Sequence, residues 1–280
     1  MATTRKQRIS CEFFPPKTEA GTDKLLNEVA PALNALGPEF FSVTYGAGGS
    51  TRDTTLGVVS AIKASGIDVA PHLSFGGDDE NAVATLLETY RSRGINRLVA
   101  LRGDVPSGTG GAAQLVYANE LVAFIRERTG DHFRIEVAAY PEIHPEAKGY
   151  DSDIRFLKAK LDAGANSAIT QYFFNVEAYF YFLDRCSTLG IDKPIYAGIM
   201  PITNFANLQR FSRNCGAEIP RWICQRMEDF GDDQASIAKF GVEVVTQLCQ
   251  TLLDSGAPGI HFYTMNQVEP TREIFHNLGL

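Results

Sequence analysis

The sequence predicts an α/β fold, a single (β/α)8 TIM barrel. Eight short apolar segments alternate with longer amphipathic ones, a pattern typical of parallel strands joined by helices. A length of 280 residues suits one barrel of this class. A doubly wound sheet is the second choice, but its Gly-rich turn is missing, because Phe-Phe-Pro-Pro follows the first strand.

The predicted strands are short runs rich in β-branched and aromatic residues, bounded by Gly, Pro, Asp or Asn. We predict them at residues 8–14, 39–45, 67–75, 97–103, 134–140, 166–172, 194–200 and 258–264.

The predicted helices have apolar residues at three- and four-residue spacing, and several end at Gly. They span residues 23–37, 79–94, 152–164, 176–190, 204–216 and 233–256. Residues 201–257 are too many for one helix, so at least two are expected there. We therefore expect residues 1–280 to form one barrel domain.

Composition excludes several classes of protein. The net charge is -7 with no basic run, which argues against nucleic acid as a partner. No apolar stretch is long enough for a membrane span, and the first residues lack the apolar region of a secretory signal. The five cysteines form no C-x-x-C pair, which indicates reduced thiols in the cytoplasm and no zinc site.

Polar residues gather where the predicted strands end. In a barrel of this class the active site lies at the carboxyl ends of the strands. Taken singly, each such residue is more often structural, but their convergence on one rim predicts a site. The amino ends of the strands show no such convergence. The polar residues at the carboxyl ends are Glu12, Thr44, Tyr45, His72, Arg102, Asp104, Tyr140, Glu142, His144, Thr170, Gln171, His261, Tyr263 and Thr264.

Glu12 is the most unusual of these residues, because it stands between Cys11 and Phe13 at the end of an apolar strand. An apolar setting raises the pKa of a carboxyl group. A raised pKa near neutrality suits a group that transfers protons, so we expect Glu12 to do so.

Several segments resemble methylenetetrahydrofolate reductase of the bacterial type, in order and over nearly the whole chain. They are EFFPPK (12–17), SVTYGAGGSTRD (42–53), APHL (70–73), ALRGD (100–104), AAYPEIHPEAK (138–148), DAGANSAITQYFF (162–174), GIMPITNF (198–205) and HFYTMN (261–266).

The resemblance implies a barrel that binds FAD and reduces 5,10-methylenetetrahydrofolate to 5-methyltetrahydrofolate, which supplies methyl groups for methionine synthesis. NADH or NADPH would be the reductant, in a ping-pong order. Members of the family are commonly homo-oligomers. Eukaryotic relatives carry an additional regulatory domain, and we expect none here because the chain ends too soon.

The resemblance also implies roles for individual residues. Glu12 would be the general acid that protonates a folate nitrogen, and Asp104 would bind the pterin close to the flavin. Gln171 would contact folate and nicotinamide in turn, Phe211 would pack on either, and Thr44 would touch the nicotinamide. The implied FAD contacts are Tyr45, Ala47, His72, Arg102, Gly103, Asp104, Ala118, Tyr140, His144, Ala147, Asp153 and Lys160.

One position departs from the family pattern. Gln267 follows HFYTMN where the family usually has an arginine that contacts substrate. Loss of a fixed cation should weaken a contact with an anionic group of the folate or of the nicotinamide cofactor.

Two other functions fit parts of the pattern. Glu12, His72, Asp104 and His144 could be the ligands of a metal-dependent TIM-barrel hydrolase, although the first strand has no H-x-H pair. A barrel that binds FAD or folate without turnover is the third alternative. We favour the reductase and expect no metal.

Overall fold

A computed structural model describes residues 7–45, 52–75, 80–103 and 117–280 of the chain. Eight parallel strands close into a barrel in chain order, with the last strand paired to the first. This confirms the predicted fold class. The strands are β1 (Arg8–Phe13), β2 (Phe40–Val43), β3 (Val69–Leu73), β4 (Arg97–Ala100), β5 (Arg134–Ala139), β6 (Ser167–Thr170), β7 (Ile195–Ile199) and β8 (Gly259–Tyr263).

Helices follow the strands around the barrel. They are α1 (Glu19–Lys24), α2 (Ala30–Asn34), α3 (Arg52–Ala64), α4 (Glu80–Ser92), α5 (Ala118–Thr129), α6 (Tyr150–Asp162), α7 (Val176–Thr188), α8 (Phe205–Cys215), α9 (Arg221–Phe230), α10 (Gln234–Asp254) and α11 (Thr271–Leu278). Helices α3, α5, α9 and α11 lie outside the predicted segments. In the described part of the chain, no helix is both long and apolar enough to cross a membrane.

The helix predicted at 23–37 has a different form. It begins earlier, where the Thr18 side chain accepts a hydrogen bond from Gly21 N–H, and a π-helical segment (Leu25–Val29) separates α1 from α2. In that segment the Ala30 N–H donates to the carbonyl of Leu25, five residues back. The next residue, Pro31, has no N–H to continue an α-helical ladder, which explains why the wider turn is tolerated at this point.

Alternation along β1 separates its polar side chains from its apolar ones. Cys11 and Phe13 belong to the buried apolar core. Arg8, Ser10 and Glu12 lie two residues apart and therefore share the opposite face of the strand. That face lines the interior of the barrel, so one strand supplies polar groups at three depths.

The amino ends of the strands hold a buried ionic cluster, so the expectation that polar residues converge only at the carboxyl ends was wrong. The Arg8 guanidinium pairs with Glu136 at 2.8 Å, and both side chains are buried. Arg97 binds Asp68 at 2.8 Å and also pairs with Glu39. These residues open or precede their strands, where the sequence does not distinguish a buried charge from a flanking surface charge.

Candidate active site

A cavity of about 500 Å³ opens at the carboxyl ends of the strands. Eight of the predicted site residues line it, and they come from six strand ends and from α8. These residues are Glu12, Thr44, Tyr45, His72, Tyr140, Gln171, Phe211 and Tyr263.

Glu12 is positioned by the pairing of β1 with its two neighbours. In the strand register Glu12 lies beside Ser42 on β2 and beside Tyr263 on β8. The Ser42 hydroxyl donates to Glu12 Oε2 at 3.3 Å. His72 Nε2 lies 3.1 Å from the same oxygen and His261 Nε2 lies 3.3 Å from it. The carboxylate therefore stands among polar groups at the inner end of the cavity.

The expected rise in the pKa of Glu12 is wrong. Burial alone would raise this pKa, but the charge of His72, together with hydrogen bonds from His261 and His72, lowers it to about 2. The expectation assumed that Cys11 and Phe13 surround the carboxyl group. Alternation places those two side chains on the other face of the strand, and Glu12 is ionised at neutral pH.

His261 connects Glu12 to the interior of the barrel. Its Nδ1 lies 2.7 Å from the hydroxyl of Ser10, the residue beside which it lies in the strand register. Burial lowers the pKa of His261, and the hydrogen bond to Glu12 opposes that shift. The three side chains form a continuous polar chain from the cavity inward.

Tyr263 fills the space beside this chain. Its hydroxyl donates to the carbonyl of Thr170 at 2.7 Å. Gly198 on β7 makes room for the ring, since a Cβ there would lie 2.8 Å from Tyr263 and 1.9 Å from the Thr170 carbonyl. Glycine is therefore required at this point of β7 for the ring to fit.

Helix α8 forms one wall of the cavity. Asn204 caps it by accepting a hydrogen bond from Asn207 N–H, and Phe211, Asn214 and Cys215 face the cavity. The helix is tied to the end of β6, because the Tyr172 hydroxyl lies 3.0 Å from the hydroxyl of Ser212. Gln171, the residue before Tyr172, is held in place because the Tyr172 N–H donates a hydrogen bond to Gln171 Oε1 at 3.0 Å.

A second group of predicted residues lies beside the cavity and meets it at Tyr140. The Tyr140 ring packs edge-on against His144, and His144 N–H donates to Asp153 at 2.8 Å. Lys160 bonds the carbonyl of Ala138 with its ammonium group. Burial lowers the pKa of Lys160 to about 8, against the opposing charge of Asp153.

Arg102 lies near this group, because its charge contributes to lowering the pKa of His144 after the larger effect of burial. It also pairs with Glu146 at 2.6 Å. The Ala147 N–H donates to the carbonyl of His144 in the same loop. Arg102 and Lys160 are thus two cations held close to the part of the cavity that the Tyr140 ring lines.

The remaining predicted residues are less closely joined to the cavity. Gly103 follows Arg102 beyond the end of β4, and Ala118 begins α5. Gln267 is exposed and lies two residues beyond Met265, which lines the cavity. Ala47 and Asp104 lie outside the described residues.

Sequence reasoning missed several residues of the site. Ser10 and Ser42 were not singled out, although the two-residue spacing from Ser10 to Glu12 indicates a shared face. Tyr172, Asn214 and Cys215 were also missed. Their places in the site depend on how α8 packs against the end of β6, which the spacing of residues along the chain does not encode.

The three proposed metal ligands that the structure describes do not come together. His144 stands with Asp153 beyond Tyr140, whereas Glu12 and His72 lie inside the cavity. Within the described ranges, no group of three or more His, Cys, Asp or Glu side chains is arranged to hold a metal ion. The geometry gives the hydrolase alternative no support.

Comparison with known proteins gives a consistent result. The family model described as methylenetetrahydrofolate reductase matches residues 1–279. The 5,10-methylenetetrahydrofolate reductase of Escherichia coli (strain K12) is 41% identical over 273 residues, covering 97% of this chain and 90% of the relative. Methylenetetrahydrofolate reductase (NADH) 1 of Arabidopsis thaliana is 38% identical over 97% of this chain and 48% of its own length.

One solved structure shares the fold. A protein from Clostridium thermocellum, described as binding two copies of 5-methyl-5,6,7,8-tetrahydrofolic acid, superposes with a TM-score of 0.68. The identity is 19%, and the match covers 97% of this chain and 93% of that one.

Proposed function

This chain belongs to the methylenetetrahydrofolate reductase family, and from that membership we propose that it reduces 5,10-methylenetetrahydrofolate with bound FAD and with NADH or NADPH. The observation that carries the proposal is the cavity at the carboxyl ends, with Glu12 at its inner end and a cationic group at its edge.

The residues beside the cavity fit FAD. Lys160 holds a buried ammonium group whose hydrogen bond goes to a main-chain carbonyl, and burial lowers its pKa. An anionic diphosphate would offset that cost of burial. Arg102 is a second cation in the same region, and the Asp153 carboxylate suits a ribose hydroxyl. Tyr45, Tyr140 and His72 would contact the flavin ring from the cavity wall.

When bound, FAD would accept a hydride from the reduced nicotinamide and deliver one to the methylene carbon of the folate. The protein's part is to position two substrates. A cavity of about 500 Å³ supports their use of the same space in turn, which is a ping-pong order. Gln171, Phe211 and Thr44 line that space and would contact either substrate.

Glu12 would hold the proton that opens the five-membered ring of the folate. An amine is a poor leaving group unless it is protonated, so a donor close to the substrate nitrogen speeds the step. In the described structure His72 and His261 lower the pKa of Glu12, so Glu12 would take its proton from solvent in the open cavity and hand it to the folate nitrogen. His261 Nε2, 3.3 Å from Oε2, would orient the carboxyl group for that transfer.

The remaining parts of the proposal follow from the family resemblance. Asp104 would bind the pterin, and Ala47, Gly103, Ala118 and Ala147 would complete the FAD contacts. Gln267 would make a weaker substrate contact than arginine does in relatives. All five cysteines are free thiols, which suits a cytoplasmic enzyme. We also propose a homo-oligomer.

The test is an anaerobic titration followed by visible absorbance. The purified protein should show a flavin band that NADH or NADPH bleaches and that 5,10-methylenetetrahydrofolate restores. A protein that stays colourless after reconstitution with FAD would contradict the cofactor. Bleaching without recovery would contradict the folate half-reaction.

A further inference from the structure

A small cavity adjoins the main one and contains an unusual carboxyl group. Glu142 lies two residues beyond Tyr140, in the loop between β5 and α6. Its Oε2 accepts a hydrogen bond from the backbone N–H of Glu218 at 2.8 Å. Its Oε1 is buried and has no hydrogen-bond partner among the residues that the structure describes. A buried oxygen without a hydrogen-bond partner costs free energy, so its presence in a folded protein calls for an explanation.

Glu142 joins two segments that are far apart in sequence. Glu218 follows the C-terminal end of α8, the helix that carries Phe211 into the active site. At that end Gly216 has a φ of +76° and packs so closely that a Cβ would lie 3.0 Å from Pro145. The loop after β5 therefore meets the end of α8 through both a hydrogen bond and a close backbone approach.

The loop is strained where it makes this contact. Ile143 has a φ of +70°, which is unfavourable for a β-branched residue. Such a conformation persists only where its surroundings hold it. The two neighbouring contacts, through Glu142 and through Pro145 against Gly216, provide that support.

We propose that Glu142 is a positioning residue that fastens the C-terminal end of α8, and with it Phe211, to the loop that also carries Tyr140 and His144. The inference rests on the proposed function, because it assumes that Phe211 packs on the substrates. Glu142 acts through α8 and touches neither substrate.

The contact between Glu142 and the segment that follows α8, called the joint below, responds to pH near neutrality. Burial raises the pKa of Glu142 to about 7; the hydrogen bond from Glu218 N–H opposes this, and the Glu218 carboxylate adds to it. The Tyr172 hydroxyl also faces Glu142, as does Cys215 through its contact with Tyr172. Because the raised pKa means that the docked arrangement favours the protonated form, its contribution is complete below about pH 4.5 and is lost as the pH rises through about 7.

Amide hydrogen exchange of residues 216–220 tests the joint independently of activity. We compare wild type with Glu142→Ala and Glu142→Gln, using the exposed Glu88→Gln as a control. Glu142→Ala should speed exchange in this segment and raise the KM of both substrates by roughly five- to tenfold, as expected for the loss of one hydrogen bond. The kcat and the bound flavin should stay at wild-type values.

The pH dependence of KM distinguishes a positioning role of Glu142 from a general loss of stability. Wild-type KM should rise between about pH 4.5 and pH 7 and then level off, whereas Glu142→Gln, which keeps an acceptor without a charge, should give a flat profile. Glu218→Gln keeps the backbone N–H and removes the like charge, so the wild-type midpoint should move to lower pH.

The inference would be overturned by wild-type exchange in Glu142→Ala, or by a Glu142→Gln profile that still follows pH. If the Glu142→Ala protein does not fold, the pH profiles of Glu142→Gln and Glu218→Gln remain as the test. Failure of wild type to pass the flavin titration would instead reject the proposed function, and the exchange result would stand separately.

Discussion

Glu12 shows how a single strand register determines the charge of a proposed catalytic group. Its sequence neighbours are apolar, yet its spatial neighbours are Ser42, His72 and His261. These contacts outweigh burial and lower its pKa to about 2. A carboxylate in that state is a weak base, so the histidines that set its pKa and hold it in place are part of the proposed chemistry.

His261 should therefore matter for one half-reaction only. We expect His261→Asn to slow flavin reoxidation by methylenetetrahydrofolate by roughly tenfold to a hundredfold, because it removes a hydrogen bond that orients the Glu12 carboxyl group for proton transfer. Flavin reduction by NADH should change by less than about twofold, since a hydride transfer to flavin needs no proton from Glu12. Stopped-flow absorbance measures both rates.

His132→Asn is the matched control. His132 lies near the end of α5, and its Nε2 contacts the carbonyl of Ile95, away from the cavity. Both half-reactions should keep their wild-type rates in this variant. Equal losses in the two half-reactions of His261→Asn would indicate general damage to the site and would count against a role of His261 in the Glu12 step alone.

At the scale of elements, α8 is the wall of the cavity that depends most on local capping. Asn204 supplies the N-cap, Ser212 the bond to Tyr172, and Gly216 the left-handed C-cap. The helix packs fewer buried side chains against the barrel than α10 does. Its position therefore relies on its two ends.

Removal of the N-cap should affect binding as well as stability. We expect Asn204→Ala to lower the free energy of unfolding by about 1 kcal/mol. It should also raise the KM for folate by roughly fivefold, because fraying at the start of α8 loosens Phe211. Denaturant unfolding and steady-state kinetics measure the two effects.

Asn175→Ala gives the comparison, since Asn175 caps α7 in the same manner by accepting from Glu177 N–H. It should lose a similar free energy of unfolding and keep the wild-type KM. A normal KM in Asn204→Ala would show that α8 does not depend on its cap for placement.

Strands and helices could be predicted where their sequence pattern depends only on neighbouring residues. All eight strands lie within the predicted segments, because apolar runs bounded by turn residues report burial directly. The π-helical turn at Leu25–Val29 was not predicted, although Pro31 marks the place. Helix α9 was missed; it starts directly after Pro220 with an arginine, and only Ile223 and Met227 of its ten residues are buried.

At the scale of the whole molecule, the barrel has two polar ends with different chemistry. The carboxyl end is open and holds the proposed site. The amino end is closed by Arg8 and Glu136, with the Arg8 guanidinium also lying 3.1 Å from the centre of the Tyr196 ring. The contacts of the closed end are buried and paired, which is the arrangement expected of a structural cluster.

Glu136→Gln should therefore destabilise the fold without changing the site. The substitution leaves the charge of Arg8 buried and unpaired, which costs about 3–5 kcal/mol. Urea unfolding measures this loss, and the KM values should remain those of wild type. Glu88→Gln, which alters an exposed pair with Arg91, should cost less than about 1 kcal/mol.

The pH dependence of stability gives the same cluster a second signature. Burial acts to raise the pKa of Glu136, but Arg8, Ser167 and Arg134 together lower it. A lowered pKa stabilises the fold above the ordinary carboxyl range, and this contribution is lost as the pH falls through the folded value. Wild type should lose stability in acid more steeply than Glu136→Gln does, and equal slopes would contradict the assignment.

The closed end also shows what the sequence could not reveal. Glu39, Asp68, Arg97 and Arg134 stand at strand starts, where charged residues are common and usually solvated. Only closure of the barrel brings them together. The open end was easier to predict, because the rule that sites lie at the carboxyl ends of strands told us where to look.

The central claim is that one cavity serves two half-reactions and that Glu12 acts only in the second. Stopped-flow absorbance of wild type and Glu12→Gln tests it most directly, after the visible spectrum has shown equal flavin content. We predict that NADH bleaches the flavin at a similar rate in both proteins, while its return with methylenetetrahydrofolate slows by roughly a hundredfold or more in Glu12→Gln. A return at the wild-type rate would contradict the account.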